Sequence, residues 1–210
     1  MCKKWDRGTL VYYKFAAPKL QAMKFNKSVL LAFGLLVLSA SLYRVWDGRP
    51  WGFAPQMAMA VFAGAVIKDK KWAVVLPLLS MFLSDALYQV LYTYGLSTIY
   101  GFYEGQILNY ILFGSLTVFG FLIKKINWLN VLAASLAAPT AYFLLSNLTV
   151  WASNSGLKRP QTAEGLMMTY VDGLPFYQNA LLGTVVFSTV LFGSYLLLQR
   201  AALNKSVQAA

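Results

Sequence analysis

Six apolar runs constrain this chain more than any other feature. They lie near residues 28–46, 51–67, 72–92, 106–123, 128–151 and 175–199. Crossing roughly 30 Å of hydrocarbon as a helix takes about 20 residues, somewhat fewer where interfacial aromatics cap the segment. The runs therefore predict an all-α integral membrane protein, a bundle of six transmembrane helices. Composition agrees, with 59% apolar and 12% charged residues, against roughly 45–50% and about 25% in a soluble domain. The second run is short: about 14 residues, 54–67, or roughly 21 Å as a helix. It is expected to sit against other helices instead of spanning alone. Pro55 suits its first turn, where a missing N–H is harmless. Small-residue spacings such as Ala60-x-x-x-Gly64 and Ala134-x-x-x-Ala138 permit close helix approach within the bundle.

Missing residue types exclude whole classes of chemistry. There is no histidine, which removes Ser-His-Asp and Cys-His catalysis, zincin chemistry and haem ligation by His. Cys2 is the one cysteine, so no intramolecular disulfide, CxxC metal site or iron–sulfur ligation is available. Phosphate-binding and nucleophile-elbow motifs are also absent from the sequence, and if transport is energised by ATP the ATPase is another chain. The chain is read as a non-enzyme without a cofactor or resident metal. Of the Lys and Arg residues, Arg44, Arg49, Lys158 and Arg159 fall on one side of the bundle. All others gather opposite, in 1–27, at Lys68, Lys70 and Lys71, at Lys124 and Lys125, and at Arg200 and Lys205. The positive-inside rule then places both termini in the cytoplasm of a multi-pass protein of the bacterial inner membrane. The net charge of +11 belongs to anionic lipid headgroups, not to nucleic acid. The expected organisation is a basic interfacial arm over 1–27, a six-helix membrane domain over 28–199 and a cytoplasmic tail over 200–210.

Acidic residues show the reverse asymmetry, with Asp47, Asp85, Glu104, Glu164 and Asp172 on the outer side. Asp85 stands about 13 residues, roughly 20 Å, beyond Trp72, in the outer third of the membrane. Tyr88, Gln89 and Tyr92 follow it at i+3, i+4 and i+7 on one stripe. Other runs end similarly: in Tyr43 and Arg44, in Gln106, Asn109 and Tyr110, in Ser146, Asn147 and Trp151, and in Tyr177, Gln178 and Asn179. Their inner halves are almost wholly apolar. Such a distribution makes a closed floor under a polar bowl that opens outward, whereas a channel needs polar groups on both sides. The connection 152–174 is too apolar in its second half for a solvated linker and is expected to form a lid or re-entrant segment over the bowl.

The candidate ligand-binding residues are Arg44, Arg49, Asp85, Tyr88, Asn109, Asn147, Trp151, Tyr170, Tyr177 and Asn179. Arg44 and Arg49 suit an anionic group, Asn147 directional hydrogen bonds, and Trp151, Tyr170 and Tyr177 a planar ring. Asp85 either accepts donors from a ligand or pairs structurally with Arg44 or Arg49. Asn147 is either a binding group or an interhelical clamp. Outer Tyr and Trp also have the default role of an aromatic belt.

Two blocks of sequence occur in order. The first runs Phe53-Ala54-Pro55, then Ala60-Val61-Phe62-Ala63-Gly64-Ala65, then Leu76-Pro77-Leu78 and Ser84-Asp85. The second is Ser146-Asn147-Leu148-Thr149-Val150-Trp151 with Tyr170, then Leu174-Pro175-Phe176-Tyr177-Gln178-Asn179-Ala180-Leu181-Leu182-Gly183. Together, over about residues 44–195, they resemble an uncharacterised bacterial six-span membrane family grouped with transport proteins. That family in turn resembles the substrate-binding S components of energy-coupling factor transporters. The resemblance implies an S-component-like bundle that takes a small organic cofactor, vitamin or precursor from the outer face. It also implies partners on separate chains, a transmembrane coupling subunit and its ATPases. The rival reading is a non-transporting structural or assembly subunit of a membrane complex, with the polar outer groups forming a protein interface.

Overall fold

A computed structural model describes residues 27–208, and the described chain consists of helices and their connections. The basic arm expected over 1–27 lies, but for Lys27, outside the described residues. Seven helices follow in order: α1 (Lys27–Val45), α2 (Gln56–Val66), α3 (Lys70–Thr93), α4 (Gln106–Ser115), α5 (Thr117–Phe121), α6 (Trp128–Ala152) and α7 (Ala163–Gln208). Of these, α3, α6 and α7 each contain a stretch long and apolar enough to cross a membrane, and α1, α2 and the α4–α5 pair are apolar but shorter. The protein is a helical membrane protein.

Helical periodicity sorts lipid-facing from bundle-facing residues. On α1, Leu31, Leu35, Leu38 and Leu42 are exposed, while Phe33, Val37, Ala40 and Ser41 are buried. The two sets repeat at three- and four-residue intervals on opposite faces. On α3 the exposed set is Trp72, Val75, Leu79 and Phe82, and the buried set is Ala73, Pro77, Ser80, Met81, Ser84, Asp85 and Tyr88. Leucines and aromatics facing outward would be a liability in water; in lipid they are the favoured surface. The buried serines let α1 and α3 approach closely, with the Ser41 hydroxyl donating to the Ser80 carbonyl at 2.9 Å. Caps sit where the chain turns: the Asp69 carboxylate accepts from the Lys71 N–H and Asn127 from the Asn130 N–H, at 2.9 and 2.8 Å.

At the centre stands α2, whose every residue is buried. Its 11 residues make about 16 Å of helix, half of a hydrocarbon thickness. Gln56, its first residue, donates through its amide to the Ala40 carbonyl and the Ser80 hydroxyl, and Ser80 lies near the middle of α3. The helix therefore begins at mid-depth, and the chain reaches that point as non-helical 46–55, with Gly183 of α7 against Ala54 and Phe53. The short second run thus forms a half-length helix beginning after Pro55. On its other side Gly64 crosses Gly120 of α5 so closely that a Cβ on either would meet backbone atoms of the other helix. The crossing needs glycine on both sides.

Two further expectations are revised. The fourth run divides at Leu116, where a tight turn bonds the Leu116 N–H to the Phe113 carbonyl at 3.1 Å. The second half of 152–174 is helix continuous with the sixth run, because α7 starts at Ala163 and passes through Pro175. Tertiary contacts along α6 carry it: Tyr170 packs on Phe143, and Gly173 lies against Asn147 and Phe143. In a membrane helix the backbone carbonyl freed by proline is a tolerable loss. At the other end α7 continues to Gln208, through most of the stretch read as a tail.

Candidate functional site

The end of the bundle that carries Arg44 collects the polar side chains of five helices. Arg44, in the last turn of α1, forms an ion pair with Asp85 of α3, and its guanidinium also donates to the Ser84 hydroxyl at 2.5 Å. The second Asp85 oxygen accepts from Gln106 at 2.9 Å and from the Tyr110 hydroxyl at 2.6 Å, both on α4. A carboxylate that is 2% exposed needs these donors in place of the water it has lost. Gly101 lies against the Asp85 carbonyl and the Gln89 backbone, with no room for a side chain. Asp85 therefore ties α1, α3, α4 and the 94–105 connection into one unit.

Arg49 lies beyond the end of α1 in a different setting. It donates to the Arg44 carbonyl at 2.5 Å and to the Tyr88 hydroxyl at 3.2 Å, and its guanidinium lies 5.9 Å from the Trp51 ring. Tyr88 closes the motif by donating to the same Arg44 carbonyl at 2.6 Å. Arg44 pairs with Asp85 and Arg159 with Asp172. The Arg49 charge is held by neutral groups, and among the described residues no carboxylate is in ion-pair contact with it.

Three cavities adjoin these arginines: one of about 390 Å³ beside Arg49 is lined by Asp47, Trp51 and Tyr88, and two are lined by Arg44, Arg49 and Trp51 together. The first of these two, of about 410 Å³, runs between α1, the start of α2, α4, α6 and α7, and its further lining includes Gln56, Tyr142, Phe143, Asn147, Phe176 and Tyr177. The second, also about 410 Å³, is bounded by Asp85, Tyr88 and the 98–103 stretch. Phe143 and Tyr177 stack in the first cavity at 4.5 Å and 22° between planes, and Tyr177 is held by a 2.8 Å hydrogen bond with Thr140. Both volumes suit a small organic molecule. Cations, amides and aromatic faces together can bind an anionic or polar planar group.

Of the candidate residues, Arg44, Arg49, Asn147 and Tyr177 meet in the first cavity, and Arg44, Arg49, Asp85 and Tyr88 in the second. The other four lie outside both linings and are engaged by the protein. Asn109 donates to the Tyr103 hydroxyl and accepts from Tyr142, Trp151 donates to the Pro160 carbonyl, Tyr170 to the Leu144 carbonyl and Asn179 to the Trp51 carbonyl. Burial raises the Tyr103 phenol above its ordinary range, with the Asp85 charge adding and the Asn109 hydrogen bond opposing. Arg159 forms a two-bond pair with Asp172 that raises the guanidinium further and fixes the 153–162 connection on α7. Sequence reasoning missed Gln56, Trp51 and Phe143. Gln56 had a signal, an amide at the head of an otherwise apolar run; Phe143 had none.

The profile of one family, described as a family of unknown function (DUF6580), matches residues 23–207. Nothing among the curated proteins and nothing among the solved structures matches the chain.

Proposed function

The chain belongs to the DUF6580 family of unknown function, and we propose that it is the membrane-embedded substrate-binding component of an uptake transporter. It takes a small organic cofactor, vitamin or precursor from the outer face of a bacterial cytoplasmic membrane. In this reading the chain crosses the membrane six times in an S-component-like arrangement, with both termini inside and the Arg44 end outside. Energy and movement come from other chains, a coupling subunit with its ATPases. The observation that carries the reading is the cavity of about 410 Å³ lined by Arg44, Arg49, Asn147 and Tyr177. Such a cavity, mostly apolar with a few convergent polar groups, is the usual form of a small-molecule site. The basic residues at the opposite end, Lys68, Lys70, Lys71, Lys124 and Lys125, support the orientation.

One observation favours the second reading, an assembly subunit without transport. Asp85 finds all its partners within the chain, as a purely structural group would. Native mass spectrometry of the protein purified gently from its host separates the two. A discrete bound mass of cofactor size, with an ATPase-containing partner, is the expected result. An empty protein in fixed stoichiometry with a non-ATPase partner would replace the uptake reading with the assembly one.

A further inference from the structure

The start of α2 is an uncapped dipole end in an otherwise apolar interior. First-turn N–H groups of a helix have no intrahelical acceptor. Here Pro55 occupies the N-cap, no side chain caps the turn, and Gln56, Met57 and Ala58 are all buried. Ala54, Gln56 and Met57 line the first cavity, so the positive end of the helix adjoins it. Broken or half-length helices in membranes use such ends to hold anionic groups.

Gln56 adds an independent constraint. The Ala40 carbonyl can only accept, so the amide NH₂ must face it, with the Ser80 hydroxyl as second partner, at 3.2 and 3.3 Å. That orientation leaves Oε1 as the other end, and Oε1 is buried without a partner. Gln56 is 1% exposed and lines the cavity, and its buried carbonyl oxygen requires a donor. Charge gives the third constraint: Asp85 compensates Arg44, whereas no carboxylate pairs with Arg49 among the described residues.

Resting on the binding reading proposed above and narrowing it, we infer that the ligand of this cavity is a small planar organic acid with an N–H or O–H donor beside its acidic group. The acid meets Arg49 and the first turn of α2, the adjacent donor satisfies Gln56 Oε1, and the flat body lies along Phe143 and Tyr177. Charge and donor are both needed, since an acid alone sets a lone pair against Oε1 and a neutral donor leaves Arg49 and the helix dipole without a counter-charge.

Three probes of one shape test this: indole-2-carboxylate, which carries both groups, indole-2-carboxamide, which lacks the charge, and benzofuran-2-carboxylate, which lacks the ring N–H. Each is titrated calorimetrically into the full-length protein in lipid nanodiscs. Indole-2-carboxylate is expected to bind about tenfold tighter than the carboxamide and about fivefold tighter than the benzofuran acid. Arg49→Gln should erase the first preference and Gln56→Met the second, while Arg49→Lys keeps the first and controls for folding. Equal affinity for all three probes overturns the acid-with-donor class and leaves the cavity reading standing. A co-purifying compound with no acidic group overturns it directly. No binding of any probe, together with no co-purifying small molecule, removes the binding reading and this inference with it.

Discussion

Asp85 and Asn147 face the same end of the bundle with different obligations, and substitution should separate them. Asp85 is 2% exposed and holds Arg44, Gln106 and Tyr110. Asp85→Asn leaves a half-buried guanidinium without its counter-charge, an uncompensated state that costs about 3 kcal/mol. The expected outcome is a large drop in thermal stability in detergent, partly recovered when Arg44→Met removes the stranded charge as well. Equal stability of wild type and Asp85→Asn would show that the pair does not hold the fold. Asn147 bonds to the carbonyl of Phe143 in the preceding turn of its own helix, at 2.8 Å, so Asn147→Ala should change stability by less than about 1 kcal/mol. Its position on the cavity wall predicts a roughly tenfold weaker hold on a co-purified ligand, measured by its retention through purification. Both residues were legible as polar groups in apolar helices. Which of Arg44 and Arg49 neutralises Asp85 was not, because the two arginines are five positions apart and the choice depends on how α1 docks on α3.

The crossing of α2 with α5 is a test at the scale of whole elements. A Cβ on Gly120 would run into the Val61 carbonyl and the Ala65 nitrogen, backbone atoms that no rotamer change can move aside. Gly120→Ala should force the helices apart and cost about 1–3 kcal/mol. Gly193→Ala is the matched control, since nothing lies within 4 Å of the added carbon, and the gain in helix propensity should leave stability unchanged or up to about 1 kcal/mol higher. Thermal unfolding of the two variants side by side decides it, and equal losses would exclude the close crossing. The spacing Ala60-x-x-x-Gly64 announced a close approach but not its partner. Its complement on α5, Gly120, stands alone in a sequence full of glycine and alanine. At the same scale α7 ignores a local signal: Pro175 reads as a helix start, yet contacts of Tyr170 and Gly173 with α6 continue the helix on its N-terminal side.

For the whole molecule the decisive prediction concerns sidedness. In a protein with Cys2→Ser, a cysteine at Ser155 should react with a membrane-impermeant maleimide on intact cells, and one at Lys125 only after permeabilisation. Both positions are exposed and α6 lies between them, so reaction of both from outside would mean that α6 does not cross, and the reversed pattern would invert the orientation. The helical membrane class, the polar stripe of Asp85 and Tyr88 on α3, and the asymmetry of basic residues were determined by the sequence itself. Transfer of apolar and charged side chains between water and lipid is nearly additive along the chain and needs no knowledge of neighbours. The placing of α2 at the centre of the bundle with its uncapped start beside a cavity, the Arg44–Asp85 pairing and the turning of Trp151, Tyr170 and Asn179 to backbone carbonyls were decided only by tertiary structure. These depend on which distant groups arrive within hydrogen-bonding distance, and in a poorly solvated interior every polar group must take a partner from whatever the packing brings near.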